Sequence, residues 1–133
     1  MPSDGKQSRL TKRGDLHGHL ALRGSEFDKV RRDGDKLVGK RMVVGLLPAP
    51  DGMTRLGIVV SRRYDGKAVI RNRARRLIRE SFRLTRREIS KSYWIVVIAR
   101  KYMHDCSLEQ VQNEFRWILD KSDVLPFKEK LDG

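Results

Sequence analysis

Residues 55–83 read RLGIVVSRRYDGKAVIRNRARRLIRESFR, and residues 93–101 read YWIVVIARK. The first segment opens with β-branched residues, which are typical of a strand. From about residue 68 to residue 88 the pattern is that of a helix. The apolar run at residues 94–99 predicts a further strand, and its unbroken apolar character indicates an interior position covered on both faces. These segments predict a domain that combines helices with a sheet.

Two more segments on the N-terminal side predict strands. Residues 42–47 are apolar and end at the turn-forming residues 48–52, which include two prolines and a glycine. The strands at 42–47 and 55–61 are short and sequential with a turn between them, so we expect them to pair as an antiparallel hairpin. A weaker signal predicts another strand from about Lys36.

Two further helices are predicted on either side of these strands. Ser25 is the expected N-cap of a short helix that runs to Arg32 and places Phe27 and Val30 on its inner side. The last helix is expected to begin at Ser107, whose hydroxyl would cap the third residue of the helix in a capping box. Its apolar residues recur at spacings of three and four, which is typical of a core-facing stripe: Leu108, Val111, Phe115 and Ile118.

The helix predicted at 68–88 has an apolar face and an opposite basic face. We call the basic face the arginine comb: Arg71, Arg75, Arg76, Arg79 and Arg83. Asn72 lies within it, and Arg73 and Glu80 lie at its boundary, where we expect their charges to offset each other. Because the comb contains almost no acidic residue, a solvated face of paired charges has little support. A membrane-surface or calmodulin-binding helix is disfavoured because the apolar face is needed to cover the sheet.

The chemistry of the comb favours RNA. A guanidinium binds phosphate oxygens with two parallel hydrogen bonds and stacks on bases, whereas lysine acts as a point charge. Asn72 adds a donor and an acceptor suited to a ribose or a base edge.

Charge and composition support a polyanionic partner. The chain has 133 residues, a formal net charge of +13 and a sequence pI of about 10.5. Residues 61–91 carry 12 basic and 3 acidic side chains, so about a quarter of the chain holds most of the net charge. No apolar run approaches the length of a membrane span, no secretory signal is apparent, and one cysteine excludes an internal disulfide. We therefore expect a soluble cytoplasmic protein without a membrane partner, in which residues 1–133 form a single RNA-binding domain. Its ordered core would span about 20–121, between flexible tails at 1–19 and 122–133.

The quoted segments also resemble a known family. The block AV-x-RNR-x-[RK]R-x-x-RE is the RNR signature of the bacterial ribonuclease P protein component. The order of the surrounding elements is similar as well, from an N-terminal helix with a phenylalanine to a final helix. The resemblance covers about residues 20–121 and leaves both tails outside.

The resemblance implies a fold. It is α+β, a single domain with a four-stranded mixed central sheet packed by about three helices, as in the second domain of the fifth ribosomal protein of the small subunit. The RNR helix would join two parallel neighbouring strands by a left-handed βαβ crossover, an exception to the usual handedness.

The resemblance also implies a function. The family's protein is the subunit of the ribonuclease P ribonucleoprotein, which removes the 5′ leader from precursor tRNA. The catalytic RNA subunit carries out this endonucleolytic hydrolysis with Mg²⁺ held mainly by the RNA. The partners would be the catalytic RNA and precursor tRNA, with the protein as a monomer in a 1:1 complex with the RNA.

Site residues are implied by position in the motif. These residues of the RNR helix would face the catalytic RNA: Arg71, Asn72, Arg73, Arg75, Arg76, Arg79 and, as part of the comb, Arg83. Arg62 and Arg63 match a basic pair beside the cleft in which the leader passes, and Phe27 would line that cleft.

The sequence departs from the family at three points. A second aromatic residue, common four positions after the first, is replaced by Arg31, so we expect arginine planes to share in leader binding in the cleft with Phe27. The aromatic residue often found on the first hairpin strand corresponds to Gly45. One extra residue separates the basic pair from Ala68, so the loop between them is expected to differ in shape.

Other candidate sites have simpler interpretations. The three histidines and the single Cys106 do not form a zinc-binding pattern, and Asp28, Asp33 and Asp35 are best explained as solvated charges. We expect both tryptophans, Trp94 and Trp117, to lie in the core. The sequence shows no catalytic set and no paired carboxylates, so we predict neither catalytic residues nor a metal site in the polypeptide.

Two classes of function therefore remain open. The first is the ribonucleoprotein enzyme subunit, and the alternative is a non-catalytic structural RNA-binding protein such as a ribosomal protein. A leader-guiding protein needs two RNA-binding surfaces, whereas a structural one needs a single surface. A self-sufficient protein nuclease would need clustered carboxylates for metal ions, and none are seen.

Overall fold

The computed structural model describes residues 20–89 and 91–122. The strands are β1 (Leu20–Ala21), β2 (Asp35–Val38), β3 (Met42–Pro48), β4 (Arg55–Val59) and β5 (Tyr93–Ala99). The helices are α1 (Gly24–Asp33), α2 (Ala68–Thr85) and α3 (Leu108–Lys121), with short 3-10 turns at Arg86–Glu88 and Lys101–Met103. The predicted tails at 1–19 and 122–133 lie outside the described residues except for Ser122, so the proposed domain boundaries stay a prediction.

The strands form one mixed sheet in the order β1-β4-β5-β3-β2. Strand β5 is parallel to β4 and antiparallel to β3, and β2 is antiparallel to β3. The four-stranded mixed sheet and the interior position of the apolar strand are confirmed, and β1 adds two residues parallel to β4 at one edge. The weakly signalled strand at Lys36 is also present as β2.

The predicted hairpin between residues 42–47 and 55–61 is wrong. Strand β5 lies between β3 and β4 and pairs with both of them. It is apolar on both faces, so it takes the central position, where residues 94–97 are buried between the helices on the two sides of the sheet. The hairpin that does form joins β2 to β3 across the turn at residues 39–41.

The helices cover the two faces of the sheet. On one face, α2 and α3 pack on the main core, in which Phe82, Phe115 and Ile95 are almost completely buried. On the other face, α1 packs Val30 against Trp94 and Val96 of β5. The three-helix α+β domain is therefore confirmed. Helix α2 joins the parallel neighbours β4 and β5, and the left-handedness of this crossover stays a prediction.

Several local predictions can be compared with the structure. Ser107 caps α3 as expected, because its hydroxyl accepts the backbone N–H of Gln110. Ser25 does not cap α1, which begins one residue earlier and has Arg23 as its N-cap. Glu26 accepts the Arg23 N–H there, so this acidic residue supplies the cap. Trp94 is buried as predicted, whereas Trp117 is 54% exposed and not in the core.

The end of α1 gives a stability prediction at Gly34. A Cβ atom at this position would lie 2.5 Å from the Leu46 carbonyl oxygen and 2.7 Å from that of Val30. Both are backbone atoms that cannot move away, so Gly34→Ala is expected to lower the free energy of unfolding by about 1–3 kcal/mol. Denaturant unfolding measures the change. Gly24→Ala is the control, because no atom lies within 4 Å of its Cβ position, and equal behaviour of the two variants would contradict the prediction.

Candidate nucleic-acid interface

The arginine comb is positioned by the burial of the opposite side of α2. Ala74, Ile78 and Phe82 recur every four residues and are buried in the core. The opposite face is exposed and carries Asn72 with three of the comb arginines: Arg76, Arg79 and Arg83. A cavity of about 350 Å³ between this face and the start of α3 has Leu77 and Leu108 in its lining, so an apolar recess borders the comb.

Two arginines of the RNR signature also hold the protein together. The Arg71 Nη1 donates hydrogen bonds to the carbonyl oxygens of Asp65 and Gly66, at 3.0 and 2.9 Å. The Arg73 Nη2 donates to the Cys106 carbonyl oxygen at 3.0 Å. These bonds fasten the turn before α2 and the loop before α3 to the RNR helix. Arg71 and Arg73 therefore have a structural role that the sequence pattern did not reveal.

The remaining polar contacts lie along the exposed side of the helix. Arg75 donates to the Asn72 amide oxygen at 3.0 Å, which orients both side chains. Glu80 pairs with Arg83, whereas Arg73 donates to the Cys106 carbonyl oxygen, so the suggested charge compensation between Arg73 and Glu80 stays a prediction. Arg76 is exposed, and among the described residues no hydrogen bond or ion pair is found for it. It is the comb residue whose charge is most plainly available to a ligand.

The turn at residues 61–67 connects the strand to the comb and carries the exposed residues Arg62 and Arg63. The Asp65 carboxylate fixes this turn by accepting the Lys67 N–H at 2.8 Å and by pairing with His104 Nε2 at 3.0 Å. The Lys67 N–H, followed by the His104 ring, holds the pKa of Asp65 below its usual value. The Asp65 carboxylate that fixes the turn is therefore ionised at neutral pH.

Two glycines allow α1 to lie close to the sheet. A Cβ atom at Gly45 would lie 3.2 Å from Val30, and one at Gly57 would lie 2.5 Å from the Phe27 ring. Gly45 and Gly57 both pair with Val96, so they form one row across three strands beneath the helix. A side chain at position 45 would therefore require Val30 to shift by a few tenths of an ångström.

The next row of the sheet is not covered by α1. Val38, Val43, Ile98 and Val59 are consecutive cross-strand partners on β2, β3, β5 and β4. Val38 is 61% exposed and Ile98 is 39% exposed, and the other two are half-buried. We call this row the aliphatic strip. It forms an apolar floor beside α1, and the turn with Arg62 and Arg63 follows closely after its Val59 end.

The two predicted cleft residues have different surroundings. Phe27 is half-buried and packs against the smaller core cluster around Val30 and Trp94. Arg31 is exposed and pairs with Asp28 at 2.6 Å on its own helix. Phe27 thus lies at the sheet, whereas Arg31 lies on the solvent side of α1.

None of the described residues forms a metal-binding group, since no three histidine, cysteine or acidic side chains come together in that part of the chain. No described helix is long and apolar enough to cross a membrane. The arrangement offers basic and apolar binding surfaces and no cluster for polypeptide-based metal chemistry.

An arginine-faced helix on one side of a mixed sheet, with an exposed apolar floor on the other side, defines a single-domain α+β RNA-binding protein. Comparison with known proteins makes the class specific. The sequence model of the Ribonuclease P family matches residues 19–123. A ribonuclease P protein component of Clostridioides difficile is 36% identical over 101 residues, covering 75% of this chain and 88% of that protein.

Solved structures agree with the sequence comparison. The RNase P protein of Staphylococcus aureus has a TM-score of 0.72 and 29% identity, covering 81% of this chain and 98% of that one. The RNase P protein from Thermotoga maritima has a TM-score of 0.69 and 31% identity, covering 77% and 97%. The chain belongs to the ribonuclease P protein family and is the protein subunit of a tRNA-processing ribonucleoprotein. The enzyme-subunit interpretation is confirmed over the structural RNA-binding alternative, and the roles of individual residues stay predictions.

Arg76 provides a direct test of the comb. If its guanidinium contacts a phosphate, Arg76→Ala is expected to reduce the magnitude of the log–log salt slope of binding to a bacterial ribonuclease P RNA by about 1. Because Arg76 is exposed, the thermal stability of the protein should not change. Lys121→Ala removes an exposed charge from α3 and serves as the matched control. Equal slopes for wild-type protein and Arg76→Ala would place Arg76 outside the interface.

Proposed function

We propose that the protein binds the catalytic RNA through the arginine comb and the 5′ leader of precursor tRNA along the aliphatic strip beside α1. The observation that carries this proposal is the strip, which no helix in the described part of the chain covers, because a protein that only held a structural RNA would need the comb alone. Bases of a single strand are unstacked and can lie on apolar side chains, while nearby cations bind the phosphates.

The positions of the predicted residues support a division of labour. Arg76, Arg79, Arg83 and Asn72 are exposed on the outer face of α2 and suit the catalytic RNA. Arg62 and Arg63 follow the end of the strip, where they suit the phosphates of the leader. Phe27 lies at the junction of α1 and the sheet, beside the strip.

The proposal assigns the chemical step to the RNA. Mg²⁺ would activate the attacking water and stabilise the charge that develops on the phosphate. The described acidic residues form no cluster that fits this ion, so we propose that the RNA holds it. The protein would raise the affinity of the RNA for its substrate. It would also lower the Mg²⁺ concentration required for cleavage, because its positive charge offsets the repulsion between phosphates.

We also propose a 1:1 complex of one protein monomer with one RNA, located in the cytoplasm. The buried thiol of Cys106, the one cysteine of the chain, suits a reducing compartment.

The test is reconstitution with a bacterial ribonuclease P RNA at low Mg²⁺. Adding the protein should increase cleavage of precursor tRNA at the 5′ end of the mature sequence. It should also raise the affinity for precursor tRNA more than that for mature tRNA. Rigorously RNA-free protein should cleave neither substrate. Cleavage by the protein alone, or equal enhancement for substrates with and without a leader, would overturn the proposal.

A further inference from the structure

The turn at residues 39–41 and the segment after β5 place an exposed aromatic ring among cations. Tyr102 is 60% exposed and lies in the 3-10 turn that follows β5. The Lys40 Nζ is 6.0 Å from the centre of its ring, and the Arg100 Cζ is 5.9 Å from it. At these distances both cations lie over the ring at the outer limit of cation–π contact, while the side chain stays 60% exposed.

The neighbours of the ring are fixed, whereas the ring itself is open. The Arg100 Nη1 donates to the Gly39 carbonyl oxygen at 2.7 Å, and the Arg100 N–H donates to the Arg41 carbonyl oxygen at 2.9 Å. The Cys106 thiol donates to the Tyr102 carbonyl oxygen at 3.2 Å. Among the described residues, no carboxylate forms a salt bridge with Lys40 or Arg100. The site therefore combines a held backbone with unneutralised positive charge.

This cluster continues the aliphatic strip. Arg100 is extended and stands two residues after Ile98, so the two side chains leave the chain on the same face of the sheet. Lys40 stands two residues after Val38, in the turn at residues 39–41 that joins β2 to β3. The residue of β5 beneath α1 is Val96. Arg100 is four positions further along the extended chain, which corresponds to a distance of about 13 Å. The ring thus lies beyond the strip, on the side away from α1.

We propose that Tyr102, with Lys40 and Arg100, forms a second base-stacking platform for the single-stranded 5′ leader. This inference rests on the proposed function of the strip. Its chemistry is that of single-strand recognition, in which an aromatic side chain stacks on a base and basic side chains bind the flanking phosphates. The platform supplies an aromatic surface in a chain that has Gly45 and Arg31 at the other aromatic positions, and it takes a leader base different from the one at Phe27.

The occupant is the leader and not the catalytic RNA because of the position of the ring. Lys40 and Arg100, the two cations at the Tyr102 ring, each stand two residues after a residue of the strip, so the register places the ring near that end of the strip, whereas the comb lies on the outer side of α2. A base on Tyr102 would be continuous with a strand lying on Ile98 and Val43. A single strand can supply such a base without disruption of a duplex.

The experiment uses the holoenzyme with precursor tRNAs whose leaders are shortened one nucleotide at a time. For wild-type protein, affinity should rise with leader length and then level off. Tyr102→Ala should lose the gain from the distal nucleotides, at least ~5-fold in affinity for long leaders. Affinity for the shortest leaders and for mature tRNA should be unchanged. Tyr102→Phe, which keeps the ring, should behave as wild type.

A matched control exists on the opposite side of the protein. Trp117 on α3 is 54% exposed, and the Lys121 Nζ is 4.9 Å from its ring centre. Trp117→Ala removes an equally exposed aromatic residue beside a cation, and it should leave the leader-length curve unchanged. Lys40→Ala should reduce the magnitude of the salt slope by about 0.7 with long leaders only.

The possible failures are distinct. A Tyr102→Ala curve that superimposes on that of wild type overturns the platform and leaves the proposed function intact. An equal loss for all substrates, including mature tRNA, also overturns it and assigns the ring to the catalytic RNA or to the tRNA body. Wild-type protein that shows no dependence on leader length overturns the proposed function itself.

Discussion

Phe27→Ala is expected to weaken the binding of leader-bearing precursor tRNA to the holoenzyme by ~5- to 150-fold and to leave mature tRNA binding unchanged. The range corresponds to the roughly 1–3 kcal/mol that stacking of one base on an aromatic ring contributes. The ring is half-buried against Gly57, beside the aliphatic strip. It is therefore held in one orientation, and the part that remains exposed borders the proposed path of the leader. Equilibrium titration with and without the leader measures the effect.

Packing at the same position makes a second readout necessary. Phe27 belongs to the smaller core cluster, so the alanine variant also loses stability through the cavity it leaves. Phe27→Leu keeps most of the apolar volume and removes the aromatic face, so it should regain stability without regaining leader affinity. Val30→Ala is the converse control, since Val30 lies on the inner face of α1 and is only 2% exposed. It should lose stability and retain the difference between the two substrates.

The outcome assigns the role of the residue. If Phe27→Ala loses stability while the ratio of precursor to mature affinity stays constant, Phe27 is a core residue and the leader does not stack there. The same measurement on Phe27→Leu then shows whether any aromatic contribution exists apart from packing.

Much of the fold follows from local patterns. Helices α2 and α3 were predicted because their apolar residues recur with helical spacing, and β5 because the unbroken apolar run at residues 94–99 suits a central strand. The same periodicity gives the reason why Trp117 is exposed. It lies two positions from the buried Phe115, on the opposite side of α3. The prediction for Trp117 followed residue type, and helical position decides burial here. Leu84, 38% exposed and two positions from Phe82, is a second case.

Strand pairing was not predictable in the same way. Strands β3 and β4 are neighbours in sequence, but both pair with β5, which comes later in the chain. The choice between these pairings depends on the burial of both faces of β5 in the complete fold. A local turn signal at residues 48–52 carries no information about it.

The candidate site also has one part that was predictable from local sequence and one part that was not. The comb could be found from sequence because all its residues lie on one helix, and the RNR signature made the family specific. The aliphatic strip could not, because its four residues come from four strands whose register is set by the fold. The pair of Asp65 and His104, separated by 39 residues, was missed for the same reason.

The pair of Arg41 and Glu114, separated by 73 residues, leads to the largest expected effect on stability. The Glu114 carboxylate accepts the Arg41 backbone N–H at 2.8 Å and the Arg41 Nη1 at 3.0 Å. The Arg41 Nε also approaches the Cys106 sulfur at 3.1 Å. These bonds tie the turn at residues 39–41 to α3. The side chain of Glu114 is 8% exposed and that of Arg41 is 24% exposed, so the pair is largely withdrawn from water.

Glu114→Ala is expected to lower the free energy of unfolding by about 3 kcal/mol, the lower end of the range for breaking a buried ion pair. The lower end applies because Arg41 retains some access to water, which partly solvates the abandoned guanidinium. Glu114→Gln keeps an acceptor in place and should lose less. Asp120→Ala, an exposed acid on the same helix, should change stability by less than about 0.5 kcal/mol. Denaturant unfolding of the three variants gives the comparison.

The same substitution connects stability to RNA binding. The turn at 39–41 holds Lys40 beside Tyr102. Glu114→Ala should therefore also reduce the ratio of the affinity for precursor tRNA with a long leader to the affinity for leaderless tRNA. Saturating catalytic RNA stabilises the folded protein by mass action and should restore most of the activity on short leaders. If Glu114→Ala lowers the free energy of unfolding no more than the control Asp120→Ala does, the Arg41–Glu114 pair contributes no net stability. In that case the turn must be held by the Arg100–Gly39 hydrogen bond.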